Sequence, residues 1–264
     1  AARRIVDLNN IVGNRHGGAR YSFGKASSSG SMLHLPSYAR HLLDNRAVLT
    51  FLWALSKLQS EDEDSKGRES GYKCVSAGGD FVLAGERRFQ RLHSDLGWTS
   101  KAANIRLPTP LIGANFILQD ISAENGPMRM VPETQLAQGN WKGNPIEPAK
   151  WRAFRLFPLP VGSVIVRDVR TLHGGSPNFS DRVRYLPSVE FASNDFLQTP
   201  RGRTYICHAS MPREVFDKLR ATTKRYVHPE IIADATVNIK FSAERKEKKS
   251  WRGAKEKGQQ QDPS

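Results

Sequence analysis

The sequence predicts a mainly β fold, a sandwich or barrel, with helices flanking it. After about residue 70, short runs rich in Val, Ile, Leu and Phe recur between Gly, Pro, Asn and Asp turns. Before that point one long stretch repeats its apolar residues near the helical period instead. Length allows such a fold, because 264 residues can bury roughly three quarters of their unfolded surface. An apolar fraction of 38% with 25% charged residues fits a folded chain better than a disordered one.

Taken in order, residues 13–32, with GGAR and SSSGS, read as loops around a short extended piece, Arg20 to Gly24. Ser37 to Ser60 reads as helix: Leu42, Leu43, Val48, Leu49, Leu52, Ala54, Leu55 and Leu58 recur close to the 3.6 period, and Ser37 is the expected cap. The EDED run at 61–64 reads as an exposed loop. Strands are expected at Tyr72 to Ser76, Phe81 to Ala84, Arg88 to Leu92, Leu111 to Asp120, Met128 to Pro132, Gly162 to Asp168 and Arg184 to Phe191. A further helix, Pro212 to Tyr226, opens on proline at its first position and carries Val215, Phe216 and Leu219 on one face. Residues 1–243 make one domain in this reading. Residues 244–264, charged and Gln-rich, cannot repay ordering entropy and form a basic disordered tail.

Several function classes fall away. The most apolar run, Ala47 to Leu58, is interrupted by Thr50, Ser56 and Lys57 and is too short to span a bilayer. Cys74 and Cys207 make no disulfide framework and no paired-cysteine zinc spacing, so a reducing compartment, the cytoplasm, is expected. Of the formal charge of +14, residues 201–225 carry +5 and 244–264 carry +3, and the rest is scattered, including Arg3, Arg4, Arg15 and Arg20. Such a balance attracts nucleic acid, anionic lipid or an anionic small molecule such as an acyl-CoA. The clusters lack interleaved aromatics on a helical face, so a solvated basic surface is the plainer reading and nucleic acid is not an expected partner.

Chemistry concentrates at three ligand-type residues. His93 and Asp95 follow a strand, and positions i and i+2 of extended chain point to the same face. His173 follows another strand in VGSVIVRDVRTLHGGSPNFSDRVRY. Two imidazoles and one carboxylate occupy one face of an octahedral ion and leave positions open for ferrous iron to take an organic co-substrate and dioxygen. A lone His-x-Asp is otherwise usually an ordinary hydrogen-bonded pair. Arg184, eleven residues beyond His173, can clamp a carboxylate with two parallel hydrogen bonds; the competing reading is an ion pair with Asp181 or Glu190. Arg182 belongs to the loop and is the poorer clamp. Gln90 or Ser94 are candidates to orient the imidazoles. His16, His34, His41, His208 and His228 have no partner spacing. Trp98 is either a pocket cover or ordinary packing, and SSSGS either a lid or slack chain.

RLHSDLGW, NGPMRMVPETQ and GSVIVRDVRTLHGGSPNFSDRVR, with RYSFG and GGDFVLAGERRFQRLHSD upstream, resemble the phytanoyl-CoA dioxygenase family of iron(II)/2-oxoglutarate-dependent oxygenases over roughly residues 15–195. The resemblance implies a double-stranded β-helix, a jelly-roll or cupin-like barrel. It implies His93, Asp95 and His173 as iron ligands, Arg184 holding the distal carboxylate of 2-oxoglutarate, and Asn115 as a further co-substrate contact. The implied reaction consumes 2-oxoglutarate and O2, releases succinate and CO2, and hydroxylates or otherwise oxidises a small lipophilic or secondary metabolite, with an anionic one open. Asp95 argues for oxygen transfer, since related halogenases lack the carboxylate. Two departures stand out: Pro132-Glu133-Thr134-Gln135 replaces a Pro-Gly-Ser-His pattern, and Gly175 stands where some members place a serine that bonds the co-substrate. Two rivals remain: a nucleic-acid demethylase, against which Arg182 and Arg184 stand too close together, and an inactive barrel that binds nucleic acid or an acidic partner, against which the intact ligand set argues.

Overall fold

A computed structural model describes residues 19–24, 32–58, 71–96, 109–135, 147–206 and 210–233. The 61–64 loop, the SSSGS run, the 244–264 tail, Trp98, His16, His208 and Cys207 lie outside the described residues. The strands are β1 (Arg20–Gly24), β2 (Tyr72–Val82), β3 (Leu111–Phe116), β4 (Met128–Met130), β5 (Val164–Asp168), β6 (His173–Gly175), β7 (Arg184–Ser193), β8 (Met211–Pro212) and β9 (Ile232–Ala233). Five of them form an antiparallel sheet in the order β1-β2-β7-β3-β5. The mainly β expectation therefore holds, with few helices.

The two strands expected at 72–76 and 81–84 are one. Ala77-Gly78-Gly79-Asp80 continues the ladder with β7, after a register shift between Cys74 and Ser76. Glycine serves close approach here: a Cβ at Gly24 of β1 would stand 2.5 Å from Gly78 Cα. Arg88 to Leu92 forms no strand. Its segment is tied by isolated bridges, Glu86 to Asn178 and His93 to His173, and by Gln90 N–H donating to Gly175 O at 2.9 Å. Its partner β6 is three residues long, and Pro177 just beyond has no N–H to extend a ladder.

Ser37 caps nothing. A helical turn at Pro36–Tyr38 runs into a wider turn at Ala39–Leu43, and helix α1 (Arg46–Leu58) follows, with Asn45 Oδ1 accepting from Val48 N–H at 3.1 Å. Val48, Leu49 and Leu52 of α1 join the main core with Leu33, Leu43, Val75 and Phe191. The helix expected over 212–226 is broken into Arg213–Asp217 and Ala221–Lys224, with Pro212 before the first turn rather than in it. Tertiary contacts override the helical pattern: Leu219 is buried, and Arg220 turns out of helix to bond Asp44 Oδ1 and Oδ2 at 2.8 and 2.9 Å.

Alternation along β7 divides the molecule. Val189 and Phe191 enter the main core, whereas Arg184, Leu186, Ser188 and Glu190 line a cavity on the other side of the sheet. A second, largely irregular layer covers that cavity. It runs 154–156, β4, β6, 90–93, held by Leu156 N–H to Met128 O at 2.8 Å, the β4–β6 ladder and the reciprocal His93–His173 backbone pair at 3.0 Å each. Among the described residues the two layers do not close into a hydrogen-bonded barrel, nor is any helix there long and apolar enough to cross a membrane.

Candidate metal centre

His93 and Asp95 come from the irregular segment, His173 from the start of β6, and the backbone pair between the two histidines sets the imidazoles side by side with ring centroids 4.5 Å apart. One ligand atom from each of the three residues lies within 4.8 Å of the others. Asp95 Oδ1 is 3.5 Å from His93 Nε2, and Oδ2 is 3.4 Å from His173 Nε2.

The tautomers follow from the carbonyls. His93 Nδ1 meets Arg91 O at 3.1 Å and His173 Nδ1 meets Thr171 O at 2.9 Å. A carbonyl only accepts, so each Nδ1 carries a proton, and Nε2 is the nitrogen of each ring that faces Asp95 and is left to bind a metal. The side chains expected to orient the rings do other work. Gln90 Oε1 accepts from Gly175 N–H at 2.9 Å, and Ser94 Oγ donates to Leu96 O at 2.9 Å.

Arg167 on β5 is the residue that sequence reading missed. Nη2 donates to Asp95 Oδ2 at 2.9 Å, Nε donates to Asn115 Oδ1 at 3.2 Å, and Nη1 stands 3.4 Å from His173 Nδ1. Asn115 faces Ile165 in the β3–β5 register, and Gly113 faces Arg167, so all share the cavity side of the sheet. The signal was present: an arginine on the face of the strand VIVRD that otherwise buries Ile165.

Charge state follows from these contacts. Burial raises the Asp95 carboxyl, but His173 and Arg167 outweigh it and hold the group well below the usual carboxylate range. His173 is lowered, first by burial and then by Arg167. For His93 burial pulls down, and the hydrogen bond and charge of Asp95 win, giving a net rise.

The same cavity, about 100 Å³, is lined at its far end by Arg184 and Arg20. Arg184 is 4% exposed, its Nε donates to Gly126 O at 3.0 Å, and its buried Nη1 has no hydrogen-bond partner. Burial, then the charge of Arg20, lowers it to about 10, still cationic at neutral pH. Neither Asp181 nor Glu190 pairs with it among the described residues; Asp181 instead meets the exposed Arg182 at 3.9 Å. The PETQ turn is also placed. Glu133 takes a left-handed φ of 64°, a backbone conformation that glycine adopts freely and glutamate only at a cost in strain. Thr134 Oγ1 accepts from Leu172 N–H at 2.9 Å, and Gln135 Oε1 accepts from Thr171 Oγ1 at 3.3 Å, beside His173.

Residues 79–185 match the family model described as phytanoyl-CoA dioxygenase. Over that segment the chain is similar to the phytanoyl-CoA dioxygenase family. All four residues His93, Asp95, Asn115 and His173 fall inside the matched segment, as does Arg184 at its end. No curated protein matches. Among solved structures, EvdMO1 is 26% identical, over 47% of this chain and 28% of its own length, with a TM-score of 0.36. The α-ketoglutarate-dependent epimerase SnoN from nogalamycin biosynthesis is 17% identical over 73% and 70%, TM-score 0.48. HygX from Streptomyces hygroscopicus, solved with nickel, 2-oxoglutarate and hygromycin B, is 14% identical over 73% and 76%, TM-score 0.48. This chain therefore spans little more than a quarter of EvdMO1.

The donor set suits the iron and 2-oxoglutarate that the dioxygenase family implies. Two imidazoles and one carboxylate, gathered beside the cavity, match a ferrous ion that keeps free positions. The unpartnered Arg184 Nη1 is a buried donor without an anion, a costly arrangement that a carboxylate relieves.

Proposed function

We propose that the protein is an iron(II)/2-oxoglutarate-dependent oxygenase that oxidises a small molecule. The observation that carries this is the pairing, in one cavity, of three convergent donor atoms with a buried guanidinium lacking an anion. His93, Asp95 and His173 would hold the metal. Arg184 would hold the carboxylate of 2-oxoglutarate remote from it. Bound iron, with 2-oxoglutarate and dioxygen, supplies an oxidative decarboxylation to succinate and carbon dioxide coupled to oxidation of the substrate.

The chain's own residues do the rest. The Arg91 and Thr171 carbonyls fix the imidazole tautomers, and Arg167 keeps Asp95 ionised and oriented. Asn115, the expected co-substrate contact, lines the same cavity, and its Oδ1 accepts from Arg167 Nε, so it would meet the co-substrate beside the metal ligands. The five-stranded sheet and the layer over it would be the two walls of a double-stranded β-helix spanning residues 1–243, followed by the basic tail. A small hydroxylation substrate, lipophilic or anionic, would enter between them.

Anaerobic addition of Fe(II) and 2-oxoglutarate tests the reading. A weak visible absorption band that needs both is expected, with succinate formed on admitting oxygen. No band, with the protein instead retaining a random oligonucleotide or acidic partner, would favour the inactive binding module.

A further inference from the structure

A second guanidinium shares the anion end of the cavity, and nothing above gives it work. Arg20 of β1 faces Val82 of β2, which faces Arg184 of β7. Directly paired residues project from the same side of a sheet, so Arg20 and Arg184 flank Val82 on the cavity face, about 10 Å apart at Cα by strand spacing. Both line the cavity.

Arg20 is held as firmly as a ligand-binding group. It is 9% exposed, and Nη2 donates to Arg88 O at 2.9 Å and to Ser176 O. Arg184 is tethered to Gly126 O, and a Cβ at Gly126 would lie 3.5 Å from Ser176 O, so the two tethers are neighbouring carbonyls. No carboxylate among the described residues pairs with either arginine. Glu86 and then Asp80 act on Arg20 from beyond ion-pair distance, and Asp80 acts on Arg184; Glu86 accepts from the Ala19 and Arg88 N–H groups and Asp80 Oδ1 from Ser22 Oγ.

Gly175 makes room for this group. A Cβ there would overlap Arg20 Nη1 and stand 2.9 Å from its Cζ, so the guanidinium occupies the volume that a side chain at 175 would fill. The departure from serine at this position and the placement of Arg20 are one feature. The β1 strand replaces a local hydroxyl with a cation brought from the far end of the sheet.

We infer that Arg20 and Arg184 together clamp the carboxylate of 2-oxoglutarate remote from the metal, with Gly175 as the residue that admits Arg20. A carboxylate has about four acceptor sites and takes two guanidiniums without leaving either buried charge alone. This rests on the co-substrate reading above and deepens it.

The test is calorimetric titration of the Ni(II)-loaded full chain with 2-oxoglutarate and with 2-oxobutyrate, which lacks the remote carboxylate. Wild type is expected to prefer 2-oxoglutarate. Arg20→Met should weaken 2-oxoglutarate about ten- to hundredfold, the worth of a charge-assisted hydrogen bond. It should leave 2-oxobutyrate and Ni(II) within about twofold, since neither meets that charge. Gly175→Ala keeps every guanidinium but intrudes on Nη1, so it should weaken 2-oxoglutarate selectively too. Arg20→Lys, with charge but no fork, should recover part of the loss. Unchanged 2-oxoglutarate affinity in Arg20→Met, or equal weakening of both keto acids, overturns the inference and leaves the Arg184 assignment standing. A wild type that binds both keto acids alike overturns the co-substrate reading and this inference with it.

Discussion

The two ends of the cavity are built on opposite principles. At the metal end every polar atom that matters is already occupied: both Nδ1 atoms by carbonyls, and Asp95 by Arg167. At the other end two buried guanidiniums have carbonyl tethers and no carboxylate within ion-pair distance among the described residues, with Glu86 and Asp80 acting only from farther off. Ligand geometry is thus settled before a metal arrives, whereas the anion end is electrostatically unfinished until a carboxylate enters. Pre-organisation serves the first, because a metal tolerates little error in donor position. Stored repulsion serves the second, because an anion that relieves it binds more tightly.

The largest effect should come from breaking the metal end outright. His93→Ala or His173→Ala removes one of three donors, and loss of stable Fe(II) binding is expected, with succinate formation at background in an oxygen-electrode or chromatographic assay. Near-normal succinate in either variant would place the ion elsewhere.

Arg184→Met sharpens the contrast by separating function from stability. Metal binding should persist, while the 2-oxoglutarate requirement rises about ten- to hundredfold. The metal-free protein should melt no lower than wild type, because a buried unpaired charge is replaced by a chain of similar size. Asp95→Ala should do the reverse to the apo protein, since it leaves Arg167 buried without its ion pair. Differential scanning calorimetry of the two apo variants compares the ends directly. A fall in melting temperature for Arg184→Met as large as that for Asp95→Ala would remove the distinction.

Arg167→Met tests whether the metal end depends on its support. About a ten- to hundredfold loss in metal affinity is expected, the usual effect of removing a partner that orients ligands. The position shows where sequence reading ran out. His93, Asp95, His173 and Arg184 were legible because their chemistry is carried by residue type and local spacing. Arg167 was not, because its partners lie 72 and 52 residues away: the β3–β5 register brings Asn115 to it, and the Asp95 N–H bond to Val169 O just past β5 brings Asp95. Long-range pairing also decided the fold-level misses. Arg88 to Leu92 has strand composition but no partner long enough to pair with, and 212–226 has a helical face that Asp44 and the core divide at Leu219-Arg220. The tight glycine at 175 read as a lost hydrogen bond until β1 filled its place.

The smallest expected effect lies far from the cavity. His34 Nε2 meets Ser210 Oγ, and its buried Nδ1 has no partner. Burial lowers its pKa below the ordinary value of 6.5, so the unfolded chain takes up a proton at a higher pH than the folded one. Its contribution to stability is therefore constant above about pH 6.5 and falls as the pH drops below that value toward the folded pKa. The apo protein should lose melting temperature between pH 7 and pH 5.5, and His34→Gln, which cannot titrate, should lose less. The difference between the two slopes isolates this histidine from the carboxylates that titrate lower. Parallel slopes would mean that His34 takes up its proton without leaving the fold, and that the cost of charge at this site is offset by Ser210.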